Sequence, residues 1–537
     1  MKARQKIIAP GRPGDRSNKV DIVRLSISKP VGVAVGVILV LMFGLIGLGR
    51  IPIQLTPTVD RPLITVTTAW PGRSPQEIID EITRRQEEEL KNVRGLKRMR
   101  SSSQQGVSTI TLEFSVGVDI ARAFQEVSDS LRQVSSYPDE VEEPTITVAD
   151  GAAENAIAWI IIDIPKDRLA RHPDFDISTL YDALDDEVKP ALERVEGVAE
   201  VNIYGGRERE VRVLADPMLL AQRRITYGDL MMALRGQNRN VSAGAIDEGK
   251  REYRVRVIGE FESPSDVLDT VVTYRDGMPV YVRDVADVVI DHKKRRGFVR
   301  SLGHPSIAIN VIRQSNANVV KVMSGVREAL ENIRTEILPN IGGSSSGGPV
   351  GPDLRLRQVY DETVYIDSAI DLVKTNLFVG GTLAALVLLL FLRAIRPTAV
   401  VLIAIPISII GTFLVMWAMD RTLNVISLAG LAFAVGMVID NAIVVLENID
   451  RRMQEGDGAF EAAYRGAREV WGAILASTLT TAAVFVPVLT IEEEAGQLFR
   501  DIALAIVASV ILSLVVSITV IPSACARWLK IIEHTPS

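Results

Sequence analysis

The sequence predicts an α+β polytopic membrane protein, with six transmembrane helices and one large aqueous domain between the first and the second. Three observations predict it. The 537 residues are 47% hydrophobic and 23% charged, too apolar for an ordinary soluble protein and too charged for one that is all membrane. Uncharged runs of bilayer length lie near the N-terminus and again after residue 374. Between them the pattern changes to short alternating strands and amphipathic helices.

The totals also exclude classes. A net charge of −6 has no basic excess to suggest nucleic acid. The single cysteine, Cys525, allows no intramolecular disulfide. The four histidines, His172, His292, His304 and His534, are scattered, so no Cys/His metal cluster forms and no cofactor is expected.

Residues 1–30 are basic and turn-rich, and read as cytoplasmic. The uncharged run 31–49 follows. It is long for a signal peptide, and IPIQLTP follows it where a small-residue cleavage site would stand, so it reads as a first span, uncleaved. Residues 50–374 are soluble in character. Strands are expected at Leu63–Trp70, Val107–Phe114, Ala156–Ile164, Glu210–Ala215, Tyr253–Gly259 and Ser306–Ile312. Ser74 is the expected N-cap of the helix after it, and further helices fall at 120–135, 177–195, 226–237 and 316–338. The order strand, helix, strand, strand, helix across 63–135 suggests a split βαβ, ferredoxin-like unit, and a comparable pattern closes the domain at 306–338. Residues 177–275 read as a separate α+β lobe, and 341–352, with GGSSSGGP, as a flexible linker.

Five more spans follow, at 375–392, 397–419, 426–446, 470–491 and 502–526. Lys and Arg collect at the N-terminus, 393–396, 451–468 and 527–530, while the opposite loops carry mostly acid, including Glu492–Glu494. That bias sets both termini in the cytoplasm and 50–374 outside it.

The fourth of these six runs is the unusual one: the stretch Ile426–Asn448 carries Asp440 and Asn441 in its middle. A carboxylate at membrane depth is costly and marks a function or a partner. Counting back from Glu447 puts Asp440 roughly 10 Å inside the membrane. On a helix it shares a face with Gly436, Ala432 and Ala429, small residues that let neighbouring helices approach, so the acid is expected to point into the bundle. Glu447 lies on the same face near the cytoplasmic surface, either where protons enter or as a snorkelling end-cap. Ser477, Thr478, Thr480 and Thr481 can bond across helices or back to their own carbonyls. Elsewhere, Gly244-A-I-D-E-Gly249-Lys250 is followed by Arg251 where a P-loop needs Ser or Thr, and reads as a polar turn. The acid-rich helix at Glu81–Glu89 reads as a solvated face, and Met231-Met232 as core.

Three stretches carry a family resemblance. IDNAIVVLENIDRRMQEG (Ile439–Gly456) resembles the fourth-span motif of the resistance–nodulation–division (RND) efflux pumps. Ile51–Ile78 is similar to the stretch after their first span, and Phe391–Phe413 to their second-to-third-span loop and third span. The likeness runs from about residue 22 to 531. It implies a proton-driven antiporter of the bacterial inner membrane, not an enzyme, set in membrane lipid. It also implies a periplasmic region with porter subdomains at about 63–176 and 276–338 and a docking lobe at 177–275. A trimer follows from the same resemblance, as do a periplasmic adaptor and an outer-membrane channel as candidate partners.

The drug-efflux branch carries two adjacent acids in this span. Asp440 matches the first, and Asn441 stands at the second, which leaves one titratable group for the proton relay. The resemblance is to the N-terminal half of such a pump, with one Asp-bearing span, so a second RND half is expected as partner. The expected cargo is amphipathic compounds, because the 12 methionines are dispersed rather than lined up as soft metal ligands. Two alternatives stand beside this one: a non-transporting accessory or truncated remnant, and an RND-type metal-ion exporter.

Overall fold

The computed structural model describes residues 21–529, apart from 58–61, 135–136, 139, 151–154, 250, 258, 276, 296, 316, 346–347, 393 and 492. The basic stretch before residue 21, Arg393, Glu492, the first residue of the helix expected at 316–338, and Lys530 and His534 therefore lie outside the described residues. The chain forms two compact units, one of residues 1–157, 312–324 and 361–537, the other of 158–311 and 325–360.

The first unit opens with a short helix α1 (Ile22–Ser28), capped by Asp21, and the apolar helix α2 (Pro30–Arg50). A four-stranded sheet follows, from β1 (Pro62–Ala69), β2 (Leu96–Gln104), β3 (Val107–Phe114) and β4 (Thr145–Asp150), in the order β2-β3-β1-β4 with every pairing antiparallel. Helices α3 (Pro75–Ile78) and α4 (Arg84–Leu90), joined by a π-helical turn, connect β1 to β2, and α5 (Ile120–Gln133) connects β3 to β4. The chain order is thus βαββαβ. Ser74 caps α3 in a full capping box with Glu77, as its spacing predicts.

Strict alternation fixes which face is buried. Ile64 and Val66 of β1 oppose Leu112 and Ile110 of β3, and all four are fully buried beneath Leu90, Val127 and Leu131. The alternation continues to Thr68 and Ser108, which are buried but polar. They are satisfied from the helix side: Gln86 Nε2 donates to Thr68 Oγ1 at 2.8 Å, and the Thr83 and Ser108 hydroxyls lie 2.8 Å apart. The solvated face expected at Glu81–Glu89 is present, with Glu81 and Glu88 paired to Arg85 and Lys91.

The second unit repeats that plan around an insertion. Its sheet contains β5 (Ala156–Asp163), β6 (Val198–Tyr204), β13 (Val299–Ser301), β14 (His304–Arg313) and β17 (Arg355–Asp361), in the order β13-β14-β5-β17 with β6 also on β14. A helix α6 (Lys166–Leu169) follows β5, and α7 (Tyr181–Ala183) and α8 (Lys189–Glu193) lead into β6. The inserted lobe begins at β7 (Arg209–Ala215), which pairs with β12 (Ala286–His292) at its other end. Between them lie α9 (Pro217–Arg223), α10 (Tyr227–Gln237), β8 (Val241–Glu248), β9 (Arg251–Val257), α11 (Pro264–Leu268), β10 (Val271–Arg275) and β11 (Met278–Tyr281). After β14 comes α12 (Val319–Asn332).

Three expectations need correction here, the first being that Met231 and Met232 of α10 are core: they are 47% and 68% exposed. Strand pairing divides the region expected as a lobe at 177–275 differently: β6 pairs with β14 in the second sheet, with α7 and α8 leading into it, while β11 and β12 pair with β10 and β7. The sequence signal failed because β6 and β14 are neighbours in space but separated by the whole insertion. Residues 341–352 are not a bare linker. The strands β15 (Ser344–Ser345) and β16 (Gly348–Pro349) pair, Val350 donates its N–H to Gly343 O at 3.0 Å, and a 3₁₀ turn follows. The P-loop-like stretch is a β-hairpin, in keeping with the polar turn expected there: Gly244 lies in β8, Glu248 opposes Arg251, and β9 follows where a P-loop needs a helix.

The rest of the first unit is helical, with α13 (Thr363–Leu392), α14 (Ile395–Ala418), α15 (Val425–Gln454), α16 (Ala459–Thr490) and α17 (Glu494–Trp528). With α2, six helices among the described residues are long and apolar enough to cross a membrane. α13, α15, α16 and α17 extend past the apolar runs by roughly two to three turns, because polar ends of a helix carry no hydrophobic signal. Buried residues concentrate on α14, α15 and α17, whereas α2, α13 and α16 leave most of their apolar surface uncovered. Close approach is by glycine: a Cβ on Gly44 of α2 would lie 2.3 Å from Ile410 O of α14, and one on Gly466 of α16 would lie 2.9 Å from Ile449 Cα of α15.

Candidate functional site

The site is built on α15. Its start is anchored by Asn424, fully buried, whose Oδ1 accepts from Ser427 N at 2.8 Å while its own N–H donates to Ser427 Oγ at 2.9 Å. The remaining hydrogen-bonding capacity of that amide is also used: Nδ2 donates to Asp501 Oδ2 of α17 at 2.8 Å. Thirty residues give a helix roughly 45 Å long, enough to cross a bilayer and project from it.

One face of α15 is closed. Leu431, Ala434, Val438, Ala442 and Val445 are fully or nearly fully buried against the neighbouring helices. Asn441 belongs to this face. It is 8% exposed, and its amide donates to Thr478 Oγ1 of α16 at 3.3 Å. Thr478 therefore bonds across helices, whereas Thr480 and Thr481 bond back to their own carbonyls. Near the end of the helix Asn448 donates to Gly466 O at 2.7 Å and accepts from Arg451 at 2.7 Å, and Arg451 and Arg452 both pair with Glu469.

The other face is open. Asp440 lies on it and is exposed, in line with Ala429, Phe433, Gly436, Val444 and Glu447. Among the described residues Asp440 has no hydrogen-bond or ion-pair partner. A Cβ added to Gly436 would meet nothing within 4 Å. The expectation that Asp440 points into this bundle is therefore corrected. The small-residue stripe forms one face, and within these helices it is the uncovered one. The buried stripe lies towards the far side of the helix, roughly 100–160° round from Asp440 on the rows of Asn441 and Val438. Glu447 borders a cavity of about 430 Å³ with Val444, Asn448, Asp450, Arg451, Gln454 and Val470.

The start of α15 is also tied to a strap that no motif predicted. Residues 51–55 run beside it: Ile53 bridges Leu423 in parallel, Leu423 donates to Pro52 O at 2.9 Å and Val425 to Leu55 O at 3.1 Å. The same strap accepts from Val319 N at the start of α12, through Ile53 O at 2.9 Å. Glu362, just before α13, accepts from the Leu55 N–H; burial pushes its carboxyl above the usual range, opposed by the Arg313 guanidinium.

Along α17 a second polar feature went unseen. Asp501, Ser509, Ser513 and Ser517 fall four or eight residues apart on one buried row. Ser509 and Thr412 of α14 lie 2.8 Å apart through their hydroxyls, and Ser513 donates to Val438 O of α15 at 2.7 Å. Asp501 sits one residue outside the apolar run at 502–526, so a hydropathy boundary hid it.

Long apolar helices with polar seams between them, and an acid at mid-helix, are features of a helical membrane protein. The chain matches the AcrB/AcrD/AcrF family over residues 22–537 and belongs to that family. Membership makes it an RND-type transporter and a multi-pass protein of the inner membrane, in a family whose members are transporters rather than enzymes. No group of three or more His, Cys, Asp or Glu side chains that could hold a metal occurs among the described residues.

Proposed function

We propose that this chain is a proton-driven efflux antiporter of the drug-exporting branch, with Asp440 as the group that takes and releases the proton. The observation that carries the reading is the contrast on α15: among the described residues Asp440 stands without a partner on an uncovered face while Asn441, next to it, is buried and bonded to Thr478. An acid at membrane depth is costly unless paired or functional. In this reading the open face, with Gly436 allowing close approach, meets a second six-span repeat, on the same or another polypeptide. That repeat supplies a cation or hydrogen-bond donor to Asp440. Repeat-built transporters alternate access by moving one repeat against the other around a shared site.

Protonation would cancel the charge of Asp440 and change which packing is favoured across that face. The membrane potential supplies roughly 2.3 kcal/mol per charge per 100 mV. Movement of α15 has a mechanical route outward through the strap 51–55 to α12. Asn441 carries no titratable proton and positions the helix, and Glu447 gathers protons at the cytoplasmic end. The reading includes six spans with both termini cytoplasmic, the two βαββαβ sheets as ferredoxin-like porter subdomains in the periplasm, and the inserted lobe as the docking element. It also includes a trimer served by a periplasmic adaptor and an outer-membrane channel, and amphipathic organic cargo. Drug, dye and detergent susceptibility of a deletion strain, complemented with wild type or Asp440→Asn, tests it. Full protection by Asp440→Asn sinks the relay, and sensitivity confined to copper or silver sinks the substrate class.

A further inference from the structure

A buried acid in the helical bundle, Asp501, has no role in the reading above. It is 3% exposed. Its Oδ2 accepts from Asn424 Nδ2 at 2.8 Å, and among the described residues it makes no other hydrogen bond and no ion pair. The groups that face it come from every element nearby. The α14–α15 loop brings Asp420, Arg421 and Thr422, α15 brings Asn424, α17 brings Gln497 and Arg500, and Pro57 comes from the segment after the strap. Arg421 and Arg500 act on the carboxyl through space. With Asp501 these loop, α17 and Pro57 residues line a polar cleft of about 100 Å³, room enough for water.

We propose that Asp501 is a second protonation site of this transporter, reached through the cleft and linked to α15 by Asn424. The proposal rests on the transporter reading, but not on Asp440 being the relay. A carboxylate this deep with one neutral amide donor is poorly compensated for its lost hydration, and a proton removes that cost. The step is balanced: a hydronium ion in the cleft gives a proton to the free carboxylate oxygen and leaves water. The charge at Asp501 is cancelled, and the new O–H donates into the cleft. The bond from Asn424 then runs to a neutral acid instead of an anion and weakens.

Asn424 is the N-cap of the helix that carries Asp440, so the proton's presence at Asp501 alters how firmly the start of α15 is held to α17. Asp440 lies roughly 24 Å further along the helix, so Asp501 acts on the position of α15 and does not hand its proton to Asp440.

Infrared difference spectroscopy of the purified full chain, stepped in pH, tests this without substrate or transport. The expected result is a protonated-carboxyl band that fades as pH rises, moves in D₂O, disappears in Asp501→Asn and survives in Asp440→Asn. Arg421→Gln should carry the transition to higher pH, because removing a positive charge favours the neutral acid. Asp501→Glu, which keeps the acid, should keep a band at a different frequency and covers the case in which Asp501→Asn does not fold. A wild-type spectrum that matches Asp501→Asn, a band that ignores D₂O, or an Arg421→Gln transition that does not move each overturns the proposal. Loss of the Asp440 assignment in transport assays would leave these spectra unchanged, so the two failures are distinguishable.

Discussion

Asn441 is buried, with its amide on Thr478 of the next helix, whereas Asp440, one residue earlier, stands exposed beside Gly436 with no partner among the described residues. The two faces of α15 to which these residues belong are built differently throughout. The closed face spends its polar groups on fixed bonds: Asn424 to Ser427 and Asp501, Asn441 to Thr478, Asn448 to Gly466 and Arg451. The open face holds Asp440 and Glu447, which make no side-chain hydrogen bond or ion pair among the described residues. The difference teaches that polarity within a span has two uses. Amides that can be satisfied locally hold helices together, and a titratable group kept out of such bonds stays free to change charge.

The sharpest way to break that comparison is Asp440→Asn. The amide keeps the size of the side chain and loses the proton, so efflux of a dye such as ethidium from cells should fall to background while membrane insertion and thermal midpoint stay at wild-type values. Asn441→Asp, conversely, would bury a charge against Thr478, and its thermal midpoint should fall.

Glycines give the next contrast. A Cβ on Gly430 would lie 3.0 Å from Ile502 O, and one on Gly466 would lie 2.9 Å from Ile449 Cα, both backbone atoms that cannot move aside alone. Gly430→Val and Gly466→Val should each cost about 1–3 kcal/mol, read as a lower midpoint on unfolding in detergent. Gly436→Val on the open face should leave the midpoint of this chain unchanged. It should lower efflux once the second repeat is present, because the added bulk meets that repeat. An effect on stability and none on efflux would show that Gly436 packs on something else.

Asn448→Ala strips a donor from Gly466 O and an acceptor from Arg451, and should cost about 1–3 kcal/mol by the same measurement. Asn441→Ala removes a single long bond and should cost about 0.5–1.5 kcal/mol, with efflux largely kept. The smallest effect is expected from Glu447→Gln, whose side chain holds no fixed bond: an unchanged midpoint and a modest slowing of efflux at alkaline pH, where protons to gather are scarce.

Much of this was legible in the sequence, for reasons that differ by element. The alternation in β1 and β3 and the Ser74 capping box are local patterns, and the structure has them where the spacing puts them. Asp440 announces itself by its cost in an apolar run. Which way it faces was not legible, because a helix with small residues on one side and Leu, Val and Ile on the other fits either orientation until its neighbours are known. The extent of the inserted lobe was hidden because β6 and β14 pair across the whole insertion. Asp501 lay outside a hydropathy boundary, and the strap 51–55, with its bonds to Leu423, Val425 and Val319, is a tertiary arrangement that no periodicity encodes.

The most direct test of the central claim, that Asp440 carries the coupling proton, is proton flux measured against substrate. The chain, purified with its second six-span repeat, is reconstituted in vesicles with a pH gradient and an internal pH dye, and ethidium is added. Wild type should show ethidium-dependent proton movement and Asp440→Asn none, at equal protein. Wild-type proton movement by Asp440→Asn would contradict it.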